Sequence, residues 1–247
     1  MRCTVIGAGA WGTTFAQVLA DAGNEVVVWS QQETTARGIT HQHVNSRYLP
    51  GVSLPESITA TTDLSAALAG AELVVVALPS HVVRSVLEPF AASVPRDAFV
   101  LSLMKGVELG TDERMSQVLA GIWDVEPARL AVLSGPNLSG EIAARQPTTT
   151  VVASESLETA FAVARAIATP YFRVFTATDM VGVEFGGAVK NVIALAVGIA
   201  QGMGFGDNTN ASIMTRGLSE AARSERDVRG IGRYGRSHRH LFLTALA

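Results

Sequence analysis

Short β-branched runs alternate along the first three quarters of the chain with stretches whose apolar residues recur at helical spacing. Thr4 to Ile6 reads as a strand, Trp11 to Ala22 as a helix and Glu25 to Trp29 as a second strand. A polar connection follows. The alternation then resumes with Asp63 to Ala69, Leu73 to Ala77, Val82 to Ala92, Phe99 to Leu103, Asp112 to Trp123, Leu130 to Leu133, Thr149 to Ala153, Leu157 to Ala168 and Phe172 to Phe175. Strands of nearly unbroken apolar residues interleaved with helices predict a doubly wound, Rossmann-type parallel sheet covered on both faces.

From Asp179 the period becomes continuously helical, over Val181 to Met203, with no strand after it. The expected organisation is a dinucleotide-binding domain over 1–178, the start of an all-helical second domain over 179–222, and a basic tail over 223–247 that is disordered or poorly packed. Small residues recur along the long helix (Gly186, Gly187, Ala188, Ala194, Ala196, Gly198, Ala200), which predicts close packing against neighbours on several sides. In the tail, RSERDVRGIGRYGRSHR replaces apolar periodicity with clustered Arg and His.

The first strand runs into its helix through Gly7-Ala8-Gly9-Ala10-Trp11-Gly12. A G-x-G-x-x-G turn between strand and helix suits a dinucleotide pyrophosphate. Its first glycine makes the tight turn, its second admits the ligand to the backbone, and its third lets helix and sheet pack closely. At the end of the second strand, Ser30-Gln31-Gln32 stands where an NAD site usually carries a carboxylate and an NADP site an arginine. Glu33 and Arg37 lie slightly beyond, so the choice between NAD and NADP stays open, with the missing carboxylate favouring tolerance of the 2′-phosphate.

Composition narrows the picture. With 247 residues, 48% of them hydrophobic and 17% charged, the chain is that of a globular protein with a full core. The longest strongly apolar stretch, Val192 to Ala200, is about half of the ~20 residues a membrane span needs. The first residues enter a strand without a charged leader, so the expectation is a cytoplasmic protein with no membrane insertion. A net charge of −3 offers no general attraction to nucleic acid. The single Cys3 lies within an apolar run and reads as a buried, inert thiol.

Among 19 Lys and Arg, only Lys105 and Lys190 are lysines. Arginine serves a surface as well as lysine does but does not release its proton, so these two positions stand out as candidates for proton chemistry. Lys105 follows a strand, as does the Leu78-Pro79-Ser80-His81 segment, and ligands of open α/β sheets bind beyond such strand ends. His81 reads as a capping or packing residue rather than an acid.

Taken together, GAGAWGTTFA, RYLPG (Arg47 to Gly51), PSHVV, MKGVE, SGPN (Ser134 to Asn137) and GVEFGGAVKNVIALAVGIAQGMGFGDN (Gly182 to Asn208) resemble bacterial NAD(P)-dependent glycerol-3-phosphate dehydrogenase. The resemblance runs from residue 1 to about Glu220. It implies an oxidoreductase of glycerophospholipid synthesis that interconverts dihydroxyacetone phosphate, a small phosphorylated three-carbon substrate, and sn-glycerol 3-phosphate, with NAD or NADP as cofactor.

The resemblance makes Lys190 the catalytic acid/base and places Lys105, Gly135, Asn137 and Lys190 at the substrate. It assigns the cofactor to Gly7, Gly9, Ala10, Trp11, Gly12, Tyr48, Lys105 and Ser139, and no metal. Asn137 stands where the family more often has Thr or Ser, and Asn191 is a candidate to orient Lys190. Carbonyl reduction builds negative charge on oxygen, so a cation that can also give up its proton suits the reaction. Oligomeric state stays open, a homo-oligomer included.

The resemblance also implies a further GxGD motif and an S-R-N motif, the latter for substrate phosphate and cofactor, which this chain does not carry in frame. Back-translated and read one base later, HLFLTALA gives Thr-Cys-Ser-Ser-Pro-Leu-Ser-Arg, close to the family's TCTSPLSRN. The expectation is a second domain cut short by a frameshift after about Ala222, which the codons of Arg226 to Ala247 test. Two alternatives stand beside the enzyme: a non-catalytic NAD(P)-binding remnant, and another dehydrogenase of the hydroxyacid type.

Overall fold

A computed structural model describes residues 1–233 of the chain. In order, the elements are β1 (Arg2–Ile6), α1 (Ala10–Asp21), β2 (Glu25–Trp29), α2 (Glu33–Arg37), β3 (Val44–Asn45), β4 (Leu49–Ser53), β5 (Ile58–Thr61) and α3 (Leu64–Leu68). They continue with β6 (Leu73–Val76), α4 (Val83–Leu87), β7 (Phe99–Ser102), α5 (Met115–Trp123), β8 (Leu130–Ser134), α6 (Ser139–Ala143), β9 (Thr148–Ala153), α7 (Leu157–Ile167), β10 (Phe172–Ala177), α8 (Met180–Gly202) and α9 (Asp207–Arg233). The chain divides into two compact units at Glu184/Phe185, inside α8 and a few residues past the boundary expected at 178/179.

The first unit is built on an eight-stranded sheet in the order β10-β9-β8-β7-β6-β1-β2-β5. Its central strands bury both faces, and alternation sorts the side chains into two layers. Val5, Leu73, Val75 and Leu101 pack with Phe15, Leu19 and Ile167 on one side. Ile6, Val74, Val76 and Val100 pack with Leu64, Leu68, Val118 and Leu119 on the other. Period-2 geometry makes this two-sided core possible only if consecutive residues are all apolar, as LVVV of β6 is. Cys3 is fully buried in the first layer, and that burial pushes its thiol up to about 12, consistent with an inert core residue.

The sheet is mixed rather than wholly parallel. β9 runs antiparallel to β8, and β10 lies parallel to β9. A parallel neighbour requires the chain to return along the whole strand before it pairs, usually through a long helix. Between β8 and β9 the only helix is the five-residue α6, too short for that return, so β9 starts at the edge where β8 ended.

The connection between Trp29 and Asp63 is also richer than its polarity suggests. It holds α2, a π-helical turn at Gly38–Gln42, the antiparallel β3–β4 hairpin and the edge strand β5 beside β2. The ITAT of β5 has too few apolar residues to announce a strand, but an edge needs to bury only part of its surface.

The second unit contains the rest of α8, together with α9. Where these helices approach, a Cβ at Gly217 would lie 2.9 Å from the Ile193 side chain, so glycine permits the close contact. The expected cover on several sides of α8 is not seen among the described residues of this unit: Leu195, Ile199 and Met203 are exposed, as is Leu218 of α9. At 23 residues α8 is long and apolar enough to cross a membrane by length and composition alone, well beyond the Val192 to Ala200 core of the pattern. α9 continues through Arg233, into the segment from 223 on that was expected to be disordered or poorly packed. Good helix formers such as Glu220, Ala221, Ala222 and Arg223 carry it on. The rest of the basic tail, with the segment whose shifted reading resembles TCTSPLSRN, lies outside the described residues.

Candidate active site

β1, β2, β6, β7 and β8 point the same way, so their carboxyl ends share one edge of the sheet. The chain moves from β1 to β2 and β5 on one side, then crosses back to β6, β7 and β8 on the other. The loops after β1 and β6 therefore diverge and open a crevice at the switch point, the usual ligand position in such sheets.

The glycine loop lies at that crevice. Gly7 has φ +115°, and a Cβ there would lie 2.6 Å from the carbonyl oxygen of Ala77. A Cβ at Gly12 would stand 1.9 Å from the Gly7 oxygen. Both glycines are required by the protein's own packing. Gly9 differs: nothing lies within 4 Å of where its Cβ would be, so an approaching ligand is the natural reason for it. Gly9 is the N-cap of α1, which has neither a side-chain cap nor an acid in its first turn. The amides of that turn and the positive helix end are thus available to an anion.

The loop is braced by a residue the sequence pattern did not single out. Asn45, buried in β3, donates its Nδ2 to the Ala8 oxygen at 2.9 Å and to Thr13 Oγ1 at 2.7 Å. These bonds tie the β3–β4 hairpin, whose turn carries Arg47 and Tyr48, to the glycine loop. Its only local hint was a polar residue just before the RYLPG segment.

Ala10 and Trp11 open α1 and are half-buried. The Trp11 ring packs edge-on against Phe15 with centroids 5.5 Å apart, and its buried Nε1 has no hydrogen-bond acceptor among the described residues. Lys105, half-buried, leaves β7 in the turn Met104-Lys105-Gly106. Gly106 has φ +142°, and a Cβ there would stand 3.1 Å from Ser80 Oγ, so the lysine turn lies against the loop that follows β6. His81 is exposed in the 3₁₀ turn Ser80–Val82 and caps no helix.

Beyond β8, a Cβ at Gly135 would meet the Thr149 oxygen and Thr150 Oγ1 at 3.1 Å. Asn137 reaches Thr150 Oγ1 with its Nδ2 at 3.5 Å, while its buried Oδ1 has no donor among the described residues. Ser139 begins α6, its carbonyl accepting from Thr14 Oγ1 at 3.3 Å. The first unit therefore gathers Gly7, Gly9, Ala10, Trp11, Gly12, Tyr48, Lys105, Gly135, Asn137 and Ser139 along the crevice edge and the loops flanking it. Lys190 belongs to α8 in the second unit, where it is half-buried and its neighbour Asn191 is exposed.

In these loops, the buried Trp11 Nε1 and Asn137 Oδ1 without partners among the described residues, an open Gly9 and an uncapped helix start fit a bound dinucleotide. A doubly wound sheet with this loop at its switch point defines the class: a dinucleotide-binding dehydrogenase domain. The profile of the NAD-dependent glycerol-3-phosphate dehydrogenase N-terminus matches residues 2–160, and that of its C-terminus residues 179–230. The chain belongs to this family.

Among its relatives, the glycerol-3-phosphate dehydrogenase [NAD(P)+] of Corynebacterium glutamicum (strain R) is 52% identical over 220 residues, covering 89% of this chain and 66% of that protein. The same-named protein of Frankia casuarinae is 54% identical over 222 residues, covering 90% of this chain and 66% of its own. The crystal structure of glycerol-3-phosphate dehydrogenase from Coxiella burnetii superposes with a TM-score of 0.83 at 34% identity, over 90% of this chain and 67% of that one. This chain thus spans about two thirds of the length of the curated relatives it matches.

Proposed function

We propose that the chain is an NAD(P)-dependent sn-glycerol-3-phosphate dehydrogenase, cytoplasmic and not inserted in a membrane, that interconverts dihydroxyacetone phosphate and sn-glycerol 3-phosphate for glycerophospholipid synthesis. The observation that carries the reading is the glycine loop at the switch point, with Lys105 on the same sheet edge and Lys190 within the matched C-terminal segment. Gly7, Gly9, Ala10, Trp11, Gly12, Tyr48, Lys105 and Ser139 hold the cofactor, which when bound supplies or accepts the hydride. Gly135, Asn137, Lys105 and Lys190 receive the substrate.

In this reading Lys190 Nζ gives its proton to the carbonyl oxygen in reduction and takes it back in oxidation. The positive charge of Lys105 favours the negative oxygen as it develops. Asn137 presents an unpaired Oδ1 and Trp11 an unpaired Nε1, so each gains a hydrogen bond on ligand binding.

Oxidation of NADH and of NADPH by the purified chain, followed at 340 nm with dihydroxyacetone phosphate, tests the proposal. Turnover that disappears in Lys190→Ala, with cofactor affinity unchanged, is the expected result. Cofactor binding without turnover in the unaltered chain points instead to a non-catalytic NAD(P)-binding protein, a reading that the exposed Leu195, Ile199, Met203 and Leu218 favour. Turnover with non-phosphorylated hydroxyacids alone would indicate a different dehydrogenase.

A further inference from the structure

The end of β2 is where a dinucleotide site reads the adenosine ribose, by a carboxylate for the free 2′-hydroxyl or by a cation for a 2′-phosphate. Here the first residue after that strand is Ser30, which is buried and turned onto its own loop, its Oγ accepting from Gln32 N at 3.1 Å. No carboxylate follows directly. The only acid between Ser30 and Arg47 is Glu33, and its Oε2 accepts from Thr62 Oγ1 at 3.4 Å, beside the edge strand β5.

A cation reaches this position from elsewhere in the chain. Arg47, in the turn of the β3–β4 hairpin, donates from Nη1 to Gln32 Oε1 at 2.8 Å. Its guanidinium lies 5.2 Å from the centroid of the Tyr48 ring. The hairpin is anchored to the glycine loop through Asn45, so Arg47 is held to the cofactor crevice by structure rather than by chance. The residue is exposed, and its bond to Gln32 uses only part of a five-donor fork.

We propose that Arg47 recognises the 2′-phosphate of NADP(H), with Gln32 holding the guanidinium in place and the Tyr48 ring supporting it. The proposal rests on the crevice being a dinucleotide site and adds the residue that selects between the two dinucleotides. A planar fork suits two oxygens of a phosphate monoester, whereas against a ribose hydroxyl the same cation gains little.

The experiment measures dissociation constants of NADPH and NADH for the full chain by energy transfer from its tryptophans, and competition by 2′,5′-ADP against ADP. Arg47→Gln is expected to raise the constant for NADPH and 2′,5′-ADP by about tenfold or more, while NADH and ADP change by less than about twofold. Arg47→Lys, keeping the charge without the fork, should fall between. Far-UV circular dichroism checks that each variant is folded. Equal loss for both dinucleotides, or no loss for either, overturns the role of Arg47 while leaving the crevice a cofactor site. Failure of the unaltered chain to bind either dinucleotide overturns the cofactor reading itself, and this proposal with it.

Discussion

Replacing Glu184 by alanine should destabilise the first unit more than almost any other single polar change. The carboxylate, 5% exposed near the start of α8, accepts three hydrogen bonds. Ser116 N donates to Oε1 at 2.8 Å, Ser116 Oγ to Oε2 at 2.6 Å, and Arg114 Nη1 to Oε2 at 2.8 Å. Arg114 and Ser116 stand at the start of α5, so a side chain from far along the sequence satisfies a helix amide that has no partner within the helix. Its charge also complements the positive end of that helix.

In Glu184→Ala the guanidinium, whose side chain is only 19% exposed, loses its ion-pair partner, and the amide and hydroxyl of Ser116 lose their carboxylate acceptor. Breaking one side of a buried pair costs about 3–5 kcal/mol, a substantial part of the ~5–15 kcal/mol that holds a domain folded. Glu184→Gln keeps the shape and one acceptor but loses the charge, and should cost about 1.5–3 kcal/mol. Urea titration followed by tryptophan fluorescence is a suitable assay, because Trp123 ends α5 itself. A double-mutant cycle with Arg114→Ala isolates the pair, with the expected non-additivity arising from the shared site. A loss below about 1 kcal/mol in Glu184→Ala, or equal losses for Ala and Gln, would refute the argument that the network is a buried, charge-dependent clamp.

Three further substitutions probe the site and the surface. Gly9→Ala should leave the urea midpoint nearly unchanged yet weaken NADH binding, whereas Gly12→Ala, with its 1.9 Å approach to the Gly7 oxygen, should lower both; a destabilised Gly9→Ala with normal affinity would contradict the assignment. For Asp21, burial alone would raise the carboxyl, but hydrogen bonds from Arg145 and Tyr171 hold it below the usual carboxylate range. Its stabilisation is therefore complete above the unfolded value of about 3.9 and is lost as pH falls through the lower folded value. Asp21→Asn should be less stable than the parent at pH 7, with the gap closing as pH drops below about 4; a gap independent of pH would sink the linkage.

Much of the architecture was legible in the order of residues. The alternation of apolar strands and helices reported a doubly wound sheet because LVVV of β6 and its neighbours must be buried on both faces to be tolerated. The direction of β9 was not legible, since VVA reads the same whichever way it runs; only the short α6 and the pairing with β8 decide it. The hairpin between β2 and β5 escaped notice for a related reason. Leu49 and Val52 of β4 reach the core, but Pro50 and Gly51 between them are exposed and β3 has only two residues, so no period-2 pattern marks it.

Features that depend on local geometry are readable from the order of residues alone. Gly7, Gly9 and Gly12 read as a pyrophosphate turn because backbone approach within six residues is a local property, and Lys105 and Lys190 stand out because every other Lys or Arg position in the chain is an arginine. Only the tertiary structure decides which distant residues brace these loops and helix ends. Asn45 reaches the glycine loop, Arg47 reaches the end of β2, and Glu184 satisfies the start of α5. Each is a polar side chain whose partner is set by how strands and helices pack, and hydrogen bonds of a few ångströms leave no periodic trace along the chain.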